Sequence, residues 1–499
     1  VTGYSLPFQL PAIKNPELEI EKYTNFLISL RERKIRSTRN RARPWDITLN
    51  VTTHCQLSCP YCETGNGSLR RSPGLLTPER FDYFMSPLYN TAFILRMFGT
   101  GESLLNKQFP KMVEYTKGKE VFSLLSTNLS IKFSDKQIDE LLLCGLGIIA
   151  ISIDGASQET YAKYRRGGDY ELVIENMQRL IARKKELKLE YPIIEWRFLV
   201  FEHNKHEIDR ARHLAWMYGC DQIAVHPGSA PAKGASVVRA TDVTIGPPMV
   251  GPAFNKAVME KRSVLQDAIR SLPTSQREIP QGVPHRLRYS KCDWLYFGTT
   301  FFPRGGVSPC CVSNHEDDDF GTLDPDTGTG FLKVWNDAPY QEARDFFHHK
   351  KKNKDSKIIC ASCPNMGSMD SQFVVPLRSV LRNAPGWVLK ILACEPRQFF
   401  THVDFHTLRP EILGIDACRE EVNGADYSHI AEYLTRFIPP EAGKANYLRY
   451  IINSLKKDAC SPMAVRQLRK GIELCDEIAR RVIVTDEIPD TDFNLSVSS

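Results

Sequence analysis

Cys55, Cys59 and Cys62 form a C-x3-C-x2-C run inside the stretch His54-Cys55-Gln56-Leu57-Ser58-Cys59-Pro60-Tyr61-Cys62. Thiolates are soft ligands, and a [4Fe–4S] cluster normally takes four of them. A tight loop that offers three leaves one iron open to a further ligand. With His54 the same loop also makes a Cys3His set, which zinc accepts; buried bystander thiols are the third reading. A second set lies far downstream: Cys292, then Gly305, Cys310 and Cys311, then Cys360-Ala361-Ser362-Cys363. The closing C-x2-C is a strong metal-ligand signal. The whole offers four spaced thiols, to an iron–sulfur cluster or to a structural zinc ribbon.

Elements must bring these groups to one place. Ile47, Leu49 and Val51 alternate just before the first cysteine run, which reads as a strand feeding the loop. From Trp45 to about Ser229 short β-type runs alternate with longer helical ones, the pattern of βαβ units and a parallel sheet. The predicted strands are 47–51, 94–98, 122–126, 147–153, 194–201 and 222–226, with helices near 77–88, 107–118, 134–143, 157–164, 170–186 and 205–217. Polar stops fall at the strand ends, where α/β barrels carry their chemistry. They are Gly99-Thr100-Gly101-Glu102 after the second strand, Ser126-Thr127-Asn128 at the third and Ser152-Ile153-Asp154 at the fourth, with Arg165 at the turn into the following helix. Glycine lets the backbone approach a ligand closely, Glu102 offers a carboxylate to a cation, and Ser126 and Asn128 suit a ribose or carboxylate. Alternation aims Ser152 and Asp154 to one side. Glu195 and Arg197 share a parity on the fifth strand and His226 ends the sixth, as substrate-side candidates or as structural polar groups.

The cysteine run, down to the aromatic Tyr61 before its last cysteine, resembles the cluster loop of the radical S-adenosylmethionine (radical SAM) superfamily. The resemblance implies a partial (β/α)6 TIM-like barrel, an α/β fold that six strand–helix units would fill. It implies a [4Fe–4S] cluster on Cys55, Cys59 and Cys62, with SAM chelated at the open iron. The Gly99–Glu102 segment resembles the family's Gly-Gly-Glu, which holds the SAM amino group, although Thr100 and Gly101 stand where a pair of glycines is usual. Arg165 resembles the family arginine that pairs with the SAM carboxylate, a use suited to a planar, permanently charged fork. Tyr61, Ser126, Asn128, Ser152 and Asp154 complete the expected cofactor contacts.

Cys292, Gly305 and Cys310 match the opening C-x12-G-x4-C of the auxiliary-cluster extension called SPASM, or its shorter twitch form, with Trp294 and Trp335 nearby. That spacing assigns Cys310, not Cys311. A full SPASM domain adds cysteines soon after the C-x2-C pair; here Met369 stands where the next would fall and none follows until Cys394. One auxiliary [4Fe–4S] cluster on Cys292, Cys310, Cys360 and Cys363 is therefore expected. The implied activity is reductive cleavage of SAM to a 5′-deoxyadenosyl radical, which takes a hydrogen atom from substrate. An auxiliary cluster with no open corner suits electron acceptance and a dehydrogenase outcome, while epimerisation and elimination share the first step. An electron donor such as flavodoxin or ferredoxin is implied.

Apolar content of 42% and charged content of 25% are ordinary globular values and exclude wholesale disorder. A net charge of +6 over 499 residues does not call for nucleic acid. The longest apolar run, Leu141 to Ile153, holds two glycines and is too short to span a bilayer. No basic-then-apolar signal opens the sequence, so fourteen cysteines point to metal ligation in a cytoplasmic protein. The lone cysteines 144, 220, 394, 418, 460 and 475 are expected to be small buried hydrophobes.

The expected organisation is an N-terminal helix and basic linker (1–44), the barrel (45–245), a breaker-rich linker (246–290), the Cys-rich domain (291–366) and a helical extension with a polar tail (367–499). The basic run Arg31–Arg43 reads as a solvated face or linker. Roughly 44 residues before the first strand are too few for the winged-helix module that many peptide-modifying relatives carry. A small-molecule substrate (sugar, aminocyclitol or similar) is thus expected ahead of peptide maturation. A metal-binding scaffold docking RNA through 31–43 and 350–354 is the third reading; Glu102, Asp154 and Arg165 argue against it.

Overall fold

A computed structural model describes residues 10–231, 237–239, 249–250, 292–310, 313–349, 358–363 and scattered positions from 376 to 400. Most of the 246–290 linker, Cys311, the 350–354 basic run and the extension beyond 400 lie outside the described residues. One compact unit takes in residues 1–384 and 398–417. The other, 385–397 and 418–499, falls almost wholly outside them.

The chain runs α1 (Pro16–Ile35), β1 (Asp46–Leu49), α2 (Pro78–Met85), β2 (Ile94–Arg96), α3 (Phe109–Glu114), β3 (Phe122–Thr127), α4 (Asp135–Leu143) and β4 (Ile148–Ser152). It continues through α5 (Gln158–Tyr164), α6 (Tyr170–Glu186), β5 (Ile193–Val200), α7 (Ile208–Tyr218), β6 (Gln222–Pro227), β7 (Ser229–Pro231), β8 (Val237–Arg239) and β9 (Met249–Val250). The Cys-rich region adds β10 (Gly298–Phe301), β11 (Gly306–Ser308), β12 (Gly321–Thr322), α8 (Phe331–Trp335) and α9 (Ala338–His349).

Strand alternation sorts the residues of β1–β6. One parity, including Ile47, Leu49, Leu95, Leu125, Ile149, Ile151, Ile194, Trp196 and Ile223, packs into a single core with helix residues such as Phe81, Phe84, Met112, Val173, Met177 and Leu180. The other parity carries the polar residues, and its buried charges are paired. Arg96 donates from Nε and Nη2 to the two oxygens of Asp46 at 2.8 and 2.7 Å. Buried charges persist only when partnered in this way. The helices start where a polar side chain caps them: Thr77, Ser157 and Asp169 accept from amides of the first turn, and Ser134 forms a reciprocal capping box with Gln137. These caps end the strand-end loops at defined points.

β1–β6 are parallel neighbours in order, and the sheet is open, not a closed barrel. It has ten strands in the order β12-β11-β10-β1-β2-β3-β4-β5-β6-β9. β10 lies parallel to β1, with Asp46 opposite Gly298 and Leu49 opposite Phe301. The strands of the Cys-rich region thus extend the barrel sheet on the side that carries the first cysteine loop.

The basic run departs from expectation. α1 continues to Ile35 and takes in Arg31 to Lys34. Arg33 and Arg36 are 1% and 5% exposed. Both pair with Asp293, at 2.9 and 2.7 Å. Two buried guanidiniums on one carboxylate make this part of the run an anchor, not a solvated face.

Candidate cluster and cofactor site

The first cysteine loop is held by groups around its base. Asn50 Oδ1 accepts from Thr100 N at 2.6 Å and Thr100 Oγ1 at 3.1 Å, while its Nδ2 donates to the Phe301 carbonyl at 3.0 Å. Any side chain on Gly99 would strike Asn50 Oδ1, so Gly99 makes room for Asn50. Gly101 has φ +67°, and a Cβ there would come within 2.6 Å of the Thr52 and His54 carbonyl oxygens. Glu102 N donates to His54 O at 2.7 Å. Thr100 Oγ1 donates to Thr52 O at 3.2 Å, which gives the departure from a glycine pair a use. Gly65 lies against the Cys59 backbone, where a Cβ would be 2.6 Å from N. The sequence singled out Gly99 and Gly101 but not Asn50, whose partners lie 50 and 251 positions away.

The three thiols form no disulfide; Cys59 is buried, and Cys55 and Cys62 are half-buried. Leu57 and Tyr164 pack with Cys59 and Phe201 into an apolar cluster that Cys55 and Cys62 join. Burial, reinforced by Glu102 and the neighbouring thiols, pushes Cys55 up to about 11 against the Leu57 amide. That amide donates to Cys55 Sγ at 3.4 Å, and Asn128 Nδ2 does so at 3.7 Å. Burial also raises Cys59, opposed by the Arg165 guanidinium beside it. Tyr61 is 47% exposed, its ring 6.0 Å from Tyr164 and 5.9 Å from Phe201. Among the described residues no three His, Cys, Asp or Glu side chains converge on one metal-ion position. His54 faces solvent. Soft donors in an apolar surround, with N–H groups aimed at sulfur, fit an iron–sulfur cluster.

The polar stops gather round this loop. Buried Glu102 accepts from Thr127 Oγ1 at 2.8 Å, Asn128 N at 2.7 Å and Leu104 N at 3.1 Å. Burial raises its carboxyl above the ordinary value, and those donors and Arg165 pull it back. Asp154, also buried, takes Arg165 Nε on Oδ2 at 2.6 Å and Leu199 N on Oδ1 at 2.6 Å. Burial alone would lower Arg165, but Asp154, Cys59 and two tyrosines outweigh it and keep the guanidinium charged. Asp154 and Arg165 are thus one unit: Asp154 holds the arginine beside Cys59. Ser126 and Ser152 lie on the same inner face, opposite Ala150 and Arg197, and among the described residues neither hydroxyl takes a hydrogen-bond partner.

Further along that face, Glu195 Oε1 pairs with Arg197 at 2.6 Å and Oε2 accepts from Gln222 Nε2 at 2.5 Å. His226 is opposite Leu199, and burial, then Arg197, push its imidazole down to about 3. The structure brings these three together on β5 and β6, with Glu195 committed to protein partners.

The second set also assembles. Cys292, Cys310, Cys360 and Cys363 form no disulfide. Burial, and then the other three thiols, raise Cys360 well above the ordinary thiol range; burial and Asp293 push Cys292 up to about 12. Gly305 has φ +97°, with the Leu323 carbonyl where a Cβ would be. Trp335 Nε1 donates to Ala42 O at 2.9 Å, fastening α8 to the chain before β1. Cys144 and Cys220 are buried hydrophobes; the other lone cysteines lie outside the described residues.

The radical SAM superfamily model matches residues 49–195, and the SPASM iron–sulfur cluster-binding domain model matches 292–364. The chain therefore combines a radical SAM domain with a SPASM-type auxiliary iron–sulfur domain. It is similar to the mycofactocin maturase MftC of Mycobacterium tuberculosis (strain ATCC 25618 / H37Rv), 23% identical over 176 residues, or 35% of this chain and 43% of that protein. It is similar also to GTP 3′,8-cyclase of Rhizobium etli (strain CIAT 652), 30% identical over 141 residues, 26% of this chain and 38% of that one. The match spans less than half the length of these curated relatives. Among solved structures, Streptococcus suis SuiB bound to S-adenosylmethionine aligns at TM-score 0.41 and 13% identity over 61% of this chain and 68% of that one. BtrN in complex with AdoMet and 2-DOIA aligns at TM-score 0.35 and 12% identity over 66% and 95%.

Proposed function

We propose that this chain is a radical SAM oxidoreductase acting on a polar small molecule, with Cys55, Cys59 and Cys62 holding one [4Fe–4S] cluster and Cys292, Cys310, Cys360 and Cys363 a second. The observation that carries the reading is the buried Asp154–Arg165 pair set beside Cys59 in a loop of three separate thiols. When bound, the first cluster and SAM supply a 5′-deoxyadenosyl radical, the agent of hydrogen-atom abstraction. Glu102, oriented by Thr127 and two amides, suits the SAM ammonium; Arg165, oriented by Asp154, suits its carboxylate. The unengaged hydroxyls of Ser126 and Ser152 suit the ribose. Farther in, Arg197 and neutral His226 offer a polar wall against which a hydroxylated substrate can be oriented. Four thiols at the second set leave no open corner, which favours electron acceptance over substrate binding.

The likeness to a protein named a maturase supports peptide modification as the second reading. We assign a cytoplasmic setting and an electron donor of the flavodoxin or ferredoxin kind to either.

The test is anaerobic reconstitution with iron counting and EPR, with and without SAM, on wild type and a Cys55/Cys59/Cys62→Ala triple variant. Two clusters correspond to about eight irons, falling to about four in the variant, with only the wild-type spectrum responding to SAM. A wild-type spectrum that SAM leaves unchanged removes the enzyme reading.

A further inference from the structure

The far limb of the first cysteine loop is stitched to the segment that follows Cys310. Arg71 lies at the centre of this seam. Its Nη1 and Nη2 reach the two oxygens of Asp319 at 2.8 Å each. Nε donates to Asn314 O at 2.8 Å and Nη2 to His315 O at 2.9 Å. The guanidinium carbon lies 3.3 Å from the Phe302 ring centroid, and the Arg71 and Asp319 side chains are 4% and 9% exposed.

Further bonds run along both edges of the seam. Arg70 N donates to His315 Nδ1 at 3.2 Å, Ser72 N to Glu316 Oε2 at 2.7 Å, and Glu316 N to Arg70 O at 3.0 Å. Glu63, the residue after Cys62, accepts from Asn314 Nδ2 at 3.0 Å. Ser308, two residues before Cys310, donates to Asp319 Oδ1 at 2.5 Å. Gly306 completes the fit, because a Cβ there would strike Asp319 Oδ2 and lie 2.8 Å from Arg71 Nη1.

We propose that Arg71 is a positioning residue that locks the loop of Cys55, Cys59 and Cys62 to the loop of Cys310, fixing the separation of the two thiol sets. The Glu63–Asn314 bond leaves the first set directly after Cys62, and Arg71, farther along the same limb, holds the carbonyls of Asn314 and His315, which lie four and five residues after Cys310. A fork bound to two carbonyls and one carboxylate fixes direction as well as distance. Electron transfer between two held centres falls steeply with separation, so a seam of this kind serves the electron-accepting role given to the second set; in that sense it rests on the reading above.

Two measurements test it. Hydrogen exchange on the full-length apoprotein follows the amides of Arg70, Ser72 and Glu316. They are expected to exchange at least about tenfold faster in Arg71→Gln and in Gly306→Ala, with β4 and β5 amides unchanged. Pulsed EPR on the reconstituted, reduced protein then reads the magnetic coupling between the two clusters. Wild type is expected to give one narrow coupling, and Arg71→Gln a weaker and broader one at unchanged iron content. Unchanged exchange and unchanged coupling in both variants would overturn the proposal. So would loss of iron from the first set alone, which would make Arg71 a residue that forms its own loop. If wild type takes up no iron, the cluster reading fails, and the exchange result by itself upholds or overturns the lock.

Discussion

A histidine buried beside an arginine resists protonation, and His226 is in that position, with burial and Arg197 pushing it down to about 3 from 6.5. The unfolded chain therefore binds the proton first. Its contribution to stability is complete above pH about 6.5 and is lost as pH falls toward 3. His226→Gln is expected to flatten the acid limb of a stability-versus-pH curve measured by denaturant unfolding between those values. A variant whose acid limb is as steep as wild type would place the acid sensitivity elsewhere. At this scale the sequence was informative about residue type and less so about role. The strand-end position of Asp154 was legible; its service to Arg165 was not, because the carboxylate is also held by the Leu199 amide of another strand, 45 positions away.

Among elements, α1 shows how a charged sequence becomes core. Arg33 and Arg36 project from its last turn and its cap onto Asp293, the residue after Cys292. Removing one member of a buried ionic group leaves the rest uncompensated, at a cost of about 3–5 kcal/mol. Asp293→Ala is expected to lose about that much in chemical denaturation, whereas Asp317→Ala, whose pair with Arg70 is largely exposed, is expected to change stability by less than about 1 kcal/mol. Equal effects for the two variants would show that α1 is not anchored through this carboxylate. A basic run in sequence reads as solvated because its partner lies about 260 positions downstream.

For the molecule as a whole, the addition of β10 to β1 makes the cysteine-rich region part of the sheet that bears the first loop. β1 lies between β2 and β10 and pairs with both along its length. A chain ending at residue 245 would expose that edge and strip Arg33 and Arg36 of Asp293. It is expected to elute as aggregate in size-exclusion chromatography and to lack a near-UV circular dichroism signal. A monomeric product with native-like near-UV signal would show that the barrel strands stand alone.

The sequence alone determined the chemistry available and the local frame around it. Seven thiols in two spacings, glycines where backbones meet, and carboxylates and an arginine at strand ends were all readable. So were six strands, each within about two residues of its end, because alternation and helical periodicity are local consequences of side-chain transfer from water. The tertiary structure alone decided which groups meet. β10 beside β1, Asn50 across Thr100 and Phe301, Asp293 under α1 and Arg71 on Asp319 join positions 50 to 260 residues apart. Nothing local encodes such partners; they follow from the cost of burying charges and amides without partners, which the fold meets by bringing distant groups together.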